Sequence, residues 1–161
     1  MCFLYYNEHG ISNNYKYNIE KRYIKKCKEQ YPAHGVSKSN PILQKLRAVK
    51  STEEVDQIQT ACNITEKGMR RVLKFVKPGV AEYEIEAEFI HEFLKNRSKG
   101  FAYTPIIASG NNANVLHYIE NNQVCNDGDL ILLDVGAEYA NYSSDMTRTI
   151  PVNGRYSKRQ K

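Results

Sequence analysis

The sequence predicts an α+β fold, with helices packed on a mostly antiparallel sheet. Three observations carry that prediction. Two segments of helical period come first, over residues 51–76 and 82–96. The segments after residue 99 are strand-like and punctuated by turn residues. Helices and strands therefore fall in separate stretches, whereas a parallel sheet would need them to alternate as βαβ units.

Taken in order, "NIEKRYIKKCKEQYP" forms a short helix that stops before Pro32, because the residue ahead of a proline is pushed out of the helical region. "PAHGVSKSNP" is a loop by composition and marks a domain boundary. Residues 1–40 are thus expected to be the tail of another domain plus a linker, with the main domain over residues 41–161. "STEE" at Ser51–Glu54 is a capping-box pattern. Behind it Val55, Ile58, Cys62, Met69, Val72 and Val76 recur near helical spacing until "KPG" ends the helix. The next helix is expected to bury Ile85, Phe89, Phe93, Ile90 and Leu94 and to turn Glu82, Glu84, Glu86 and Glu88 mostly toward water. "FAYTPIIASG" reads as a strand ending in a turn and "ANVLHYIEN" as a short extended segment. "NDGD" is a tight turn, while "LILLDVGAEY" and "YSSDMTRTIPV" are β runs.

Composition narrows the function classes. No apolar run approaches the ~20 residues of a membrane helix, and "MCFLYY" is too short and lacks the basic start of a signal peptide. Cys2, Cys27, Cys62 and Cys125 show no CxxC pairing or regular spacing. They fit reduced thiols in a cytoplasmic protein better than a zinc ribbon or a disulfide framework. The net charge of +5 is uneven: residues 1–50 carry +7, residues 51–154 carry −6 and the tail "RYSKRQK" carries +4. "KRYIKKCK" is the best basic patch. At helical spacing such a patch is one solvated face, so neither nucleic acid nor a membrane is the expected partner.

The chemistry-bearing candidates are Asp134 and Asp145, eleven positions apart and each inside a β run. If the two runs pair antiparallel, both carboxylates can share one face. Two close carboxylates repel, and a cation between them removes that cost; oxygen ligands suit hard ions such as Mn²⁺ or Mg²⁺. On spacing alone a turn or cap role competes with metal binding. His117 is either structural or placed for proton work. Arg148 can pair with a nearby carboxylate.

The block "LHY…GDL…LDVGAEY…SDMTRTIPVNG", together with "PILQKLRAVKSTEEVDQIQTAC", resembles the Xaa-Pro aminopeptidases (aminopeptidase P) of the creatinase-like, pita-bread metallopeptidases. The likeness runs from about Pro41 to the end of the chain. It implies the first half of a pita-bread fold and release of an N-terminal residue that precedes proline. It also implies a centre of two divalent ions, Mn²⁺ first and Co²⁺ or Zn²⁺ as alternatives. By the same resemblance Asp134 binds one ion, Asp145 bridges both, and catalytic His117 stands beside them to hold the substrate carbonyl or its oxyanion. Two such ions activate a water and polarise a scissile carbonyl. Family members carry five ligands (two Asp, one His and two Glu), and the last three lie beyond the "TRTIPVNG" segment. The chain is therefore expected to be inactive alone, to need the missing C-terminal half of the same fold, and to belong to a homo-oligomer when intact. The alternatives are a prolidase (an Xaa-Pro dipeptidase) and a non-catalytic pita-bread interaction module.

Overall fold

The computed structural model describes residues 2–4 and 14–161, with side chains described from residue 21 onward except at positions 36 and 38. The apolar opening stretch lies partly outside the described residues. The chain divides into two units, Met1–Ser51 and Thr52–Lys161. The first unit holds β1 (Cys2–Leu4), α1 (Asn14–Gln30), β2 (Val36–Lys38) and α2 (Asn40–Ala48), with β1 parallel to β2. α1 ends ahead of Pro32 as its sequence requires, and Pro41 sits in the first turn of α2, where its missing N–H is not needed.

The second unit begins with α3 (Thr52–Phe75) and α4 (Glu82–Lys95). Its strands are β3 (Gly100–Phe101), β4 (Ile106–Ser109), β5 (Leu130–Val135), β6 (Ala137–Tyr139), β7 (Tyr142–Ser143) and β8 (Met146–Pro151). They form two antiparallel three-stranded sheets, ordered β4-β5-β8 and β3-β6-β7. The predicted α+β arrangement is thus the observed one.

The core is built from the inner faces of α3 and α4 and one face of the β4-β5-β8 sheet. Ile64, Met69, Val72, Ile85, Phe89 and Phe93 meet Ile107, Ile131, Leu133, Val135 and Val152, all buried. Gly68 is what lets the helices approach this closely: a Cβ there would stand 2.9 Å from both Phe89 and Phe93.

Several expectations are corrected. Ile90 and Leu94 lie outside the buried stripe, with Leu94 58% exposed, because the helix turns only Ile85, Phe89 and Phe93 squarely to the core. Val55 is likewise half exposed. Glu82, read as facing water, is fully buried. "FAYTPIIASG" is two strands, broken at residues 102–105, where Pro105 has no N–H for a ladder. "LILLDVGAEY" is also two strands, divided at Gly136 and belonging to different sheets. "ANVLHYIEN" is not extended. Its first two residues complete a 3-10 turn (Gly110–Asn114), and its backbone then turns through His117 at φ +54° and Asn121 at φ +51°.

Candidate metal centre

Strand alternation explains how a carboxylate can sit in a hydrophobic run. Along β5 the residues Ile131, Leu133 and Val135 are fully buried, while Leu130, Leu132 and Asp134 point to the opposite, half-exposed face. β8 pairs antiparallel to β5 with Asp134 opposite Thr147 and Val135 opposite Met146. Thr147 therefore shares the outer face with Asp134. Asp145 is two residues before Thr147, so it lies on that face as well, diagonal to Asp134.

The geometry between the two aspartates is set by Tyr103, in the break between β3 and β4. Its hydroxyl lies 2.7 Å from Asp134 Oδ1 and 3.1 Å from Asp145 Oδ1, so both carboxylates converge on one phenol proton. Burial, reinforced by the hydrogen bonds to Asp134 and Asp145, pushes the Tyr103 phenol far above its ordinary range.

A second set of contacts fixes the backbone beneath Asp145. Ser144 is buried, and its Oγ lies 2.6 Å from Thr65 Oγ1 of α3. The Ala137 N–H donates to both hydroxyl oxygens at 2.9 and 3.0 Å, and Ser144 Oγ donates to the Ala137 carbonyl at 3.0 Å. These bonds close if the Thr65 hydroxyl donates to Ser144, which leaves no group in the set without a partner. At Gly136, between β5 and β6, the backbone passes so close to the residue before Asp145 that a Cβ would lie 1.9 Å from the Ser144 carbonyl oxygen.

His117 stands on the same concave surface as Asp134 and Thr147, together with Ile106, Leu116 and Leu132. Its side chain is exposed. Arg148 donates to the Thr147 carbonyl instead of a carboxylate. Sequence reasoning missed Tyr103, Thr65, Ser144 and Glu82. Tyr103 was hidden inside an apparent strand, and the hydroxyls of Thr65 and Ser144 are 79 positions apart in sequence.

The chemistry of the donor set suits a hard divalent cation: two carboxylates converge, and a phenol proton stands where they need positive charge. Among the described residues no group of three or more His, Cys, Asp and Glu side chains gathers around one point. Asp134 and Asp145 are oxygen donors of the type such an ion takes, but two carboxylates are too few for a tight site.

A family model for the metallopeptidases of family M24 matches residues 56–161. The chain belongs to family M24. Over 121 residues it is 43% identical to a Xaa-Pro aminopeptidase of Haemophilus influenzae, a stretch covering 75% of this chain and 28% of that protein. Over 132 residues it is 38% identical to Xaa-Pro aminopeptidase 3 of Homo sapiens, covering 82% of this chain and 25% of the human protein. The M24 chain thus spans about a quarter of the length of these curated relatives. Its structure is similar to aminopeptidase PepP of Pseudomonas aeruginosa, with a TM-score of 0.78 at 35% identity, covering 98% of this chain and 36% of that one. It is similar also to proline aminopeptidase P II from Yersinia pestis, with a TM-score of 0.79 at 32% identity, covering 96% and 36%. The α+β layers described above are part of the pita-bread fold that these structures share. Among the described residues no helix is long and apolar enough to cross a membrane.

Proposed function

We propose that this chain supplies the first two metal ligands and the substrate-facing histidine of a Xaa-Pro aminopeptidase. The observation that carries the reading is the convergence of Asp134 and Asp145 on one point of an open sheet face that His117 also borders. Membership in a metallopeptidase family supports it, and the names of the relatives favour the aminopeptidase over the dipeptidase. Residues 41–161 are the first part of the catalytic domain in this reading, and residues 1–40 are the end of a preceding domain with its linker.

Asp134 and Asp145 would hold two divalent ions, Mn²⁺ by preference, with further ligands from a C-terminal half of the fold. Bound there, such ions supply Lewis acidity and an activated water for peptide hydrolysis. The chain's own residues do the rest. Asp134 is fixed by the β5–β8 ladder, Asp145 by the Thr65–Ser144–Ala137 bonds, and Tyr103 spaces the two carboxylates. His117, with an imidazole on the open surface, donates a hydrogen bond to the scissile carbonyl oxygen as charge develops on it. The substrate is a peptide with proline at its second position. The intact enzyme is cytoplasmic and homo-oligomeric.

The test is a chimera that joins residues 1–161 to the remaining C-terminal part of the Haemophilus influenzae relative. It should release the residue before proline from an Xaa-Pro-Xaa peptide with Mn²⁺, and Asp145→Ala should abolish that. His117→Ala should cost about 10²–10³ in kcat. The 161-residue chain alone should not turn over. A folded chimera without activity, or one confined to Xaa-Pro dipeptides, would defeat the reading.

A further inference from the structure

Glu82 is the one fully buried carboxylate among the described residues, and nothing in the proposed chemistry uses it. It opens α4, where the helix N-terminus favours an anion. Its Oε1 accepts from the Ser109 N–H at 2.8 Å and from Asn112 Nδ2 at 3.1 Å. Its Oε2 accepts from the Tyr118 hydroxyl at 2.7 Å and from the Gln123 N–H at 3.0 Å. The Glu82 N–H in turn donates to the Gln123 carbonyl at 2.9 Å. Every side-chain bond of this carboxylate goes to one segment, residues 109–123, and His117 lies within that segment.

The segment needs such a partner. It leaves the sheet after Ser109, the last residue of β4, and holds no strand from residue 110 to residue 123. Its backbone takes positive φ at Gly110 (+55°), His117 (+54°) and Asn121 (+51°). Non-glycine residues hold that conformation only where surrounding contacts over-determine it. One turn along α4, Glu86 adds a partly exposed contact to Asn121. Tyr118 is buried immediately after exposed His117, so its bond to Glu82 fixes the backbone at the histidine's own neighbour.

We propose that Glu82 is a positioning residue for His117: its buried carboxylate gathers four donors of the 109–123 segment and thereby sets where the imidazole stands on the open sheet face. The proposal rests on the role given to His117 above. It requires a carboxylate, since Glu82→Gln turns an NH₂ group toward donors that need an acceptor, at Oε1 or at Oε2.

The test is amide hydrogen exchange on the 161-residue chain, with the His117 imidazole followed by NMR. In Glu82→Gln the amides of Ser109, Val115, Tyr118 and Gln123 should exchange about tenfold faster or more, the size expected when charge-assisted bonds are lost. The amides of Val72 and Leu133 should stay near their wild-type rates, and the His117 ring resonances should shift or broaden. Tyr118→Phe removes one donor and leaves the carboxylate and its other three, so it should give the same pattern at smaller amplitude. This milder variant decides the matter if Glu82→Gln does not fold. Equal acceleration throughout the core, or an unchanged loop and His117 spectrum, would overturn the proposal. Neither measurement involves metal or substrate. A chimera that keeps full activity after His117→Ala would remove the role of His117 while leaving the exchange result as it stands.

Discussion

Gly136→Ala tests how tightly the residue that follows β5 and the residue before Asp145 are forced together. The added Cβ would lie 1.9 Å from the Ser144 carbonyl oxygen, 2.8 Å from its carbonyl carbon and 3.0 Å from Tyr103 Cε1. Real Cβ contacts are essentially never shorter than 3.0 Å, so the backbone at Ser144 must retreat by about 1 Å. That carbonyl belongs to the residue beside Asp145, and the Ser144 side chain and N–H are already committed to Thr65 and Ala137. Overpacking a filled interior costs roughly 1–3 kcal/mol. With backbone on both sides of the clash the upper end applies, about 3 kcal/mol. For a unit of this size that lowers Tm by roughly 10 °C or more. The assay is thermal melting by circular dichroism, with Gly35→Ala as the control. A methyl group added at Gly35 would meet no atom within 4 Å, and the backbone there has no positive φ, so the control should stay within about 0.5 kcal/mol. A Gly136→Ala melt within about 2 °C of wild type would refute the close approach.

Other consequences follow from the same geometry. Thr65→Val keeps the shape of the side chain but removes the hydroxyl that Ser144 and the Ala137 N–H share, and should cost about 1–3 kcal/mol in urea denaturation. Tyr103 should titrate late in an alkaline absorbance titration, with Tyr118 and Tyr142 also raised, and Tyr103→Phe should remove one late-titrating phenol. A phenol raised in the folded state contributes stability that is present below its unfolded pKa of 10.0 and is lost as pH rises above it. Tyr103→Phe should therefore flatten the fall in stability above that pH.

The order of helices before strands, the antiparallel β5–β8 pairing and the Asp134–Asp145 face were legible because period-2 alternation and burial speak through local sequence. Ile131, Leu133 and Val135 mark the inner face of β5, and Asp134 is on the other by parity alone. What escaped depends on contacts between distant segments. Glu82 looks like any acidic residue of a first helical turn until donors from residues 109–123 close over it. Tyr103 carries no local mark of the two carboxylates 31 and 42 positions away. Gly136 reads as a strand interior, whereas its role is to let one strand pass within contact of another. His117 was found by residue type, but its left-handed backbone was not, because nothing in "VLHYIEN" demands a turn without Glu82 beneath it.

The most direct test of the central claim is Mn²⁺ added to the 161-residue chain while its backbone amide spectrum is recorded. Two carboxylates bind weakly, and fast exchange lets a paramagnetic ion report its position at low occupancy. Broadening should centre on Asp134 and Asp145, reach Tyr103 and Thr147, and be lost in Asp145→Ala. Broadening centred on Asp127 and Asp129 instead, or unchanged by Asp145→Ala, would contradict it.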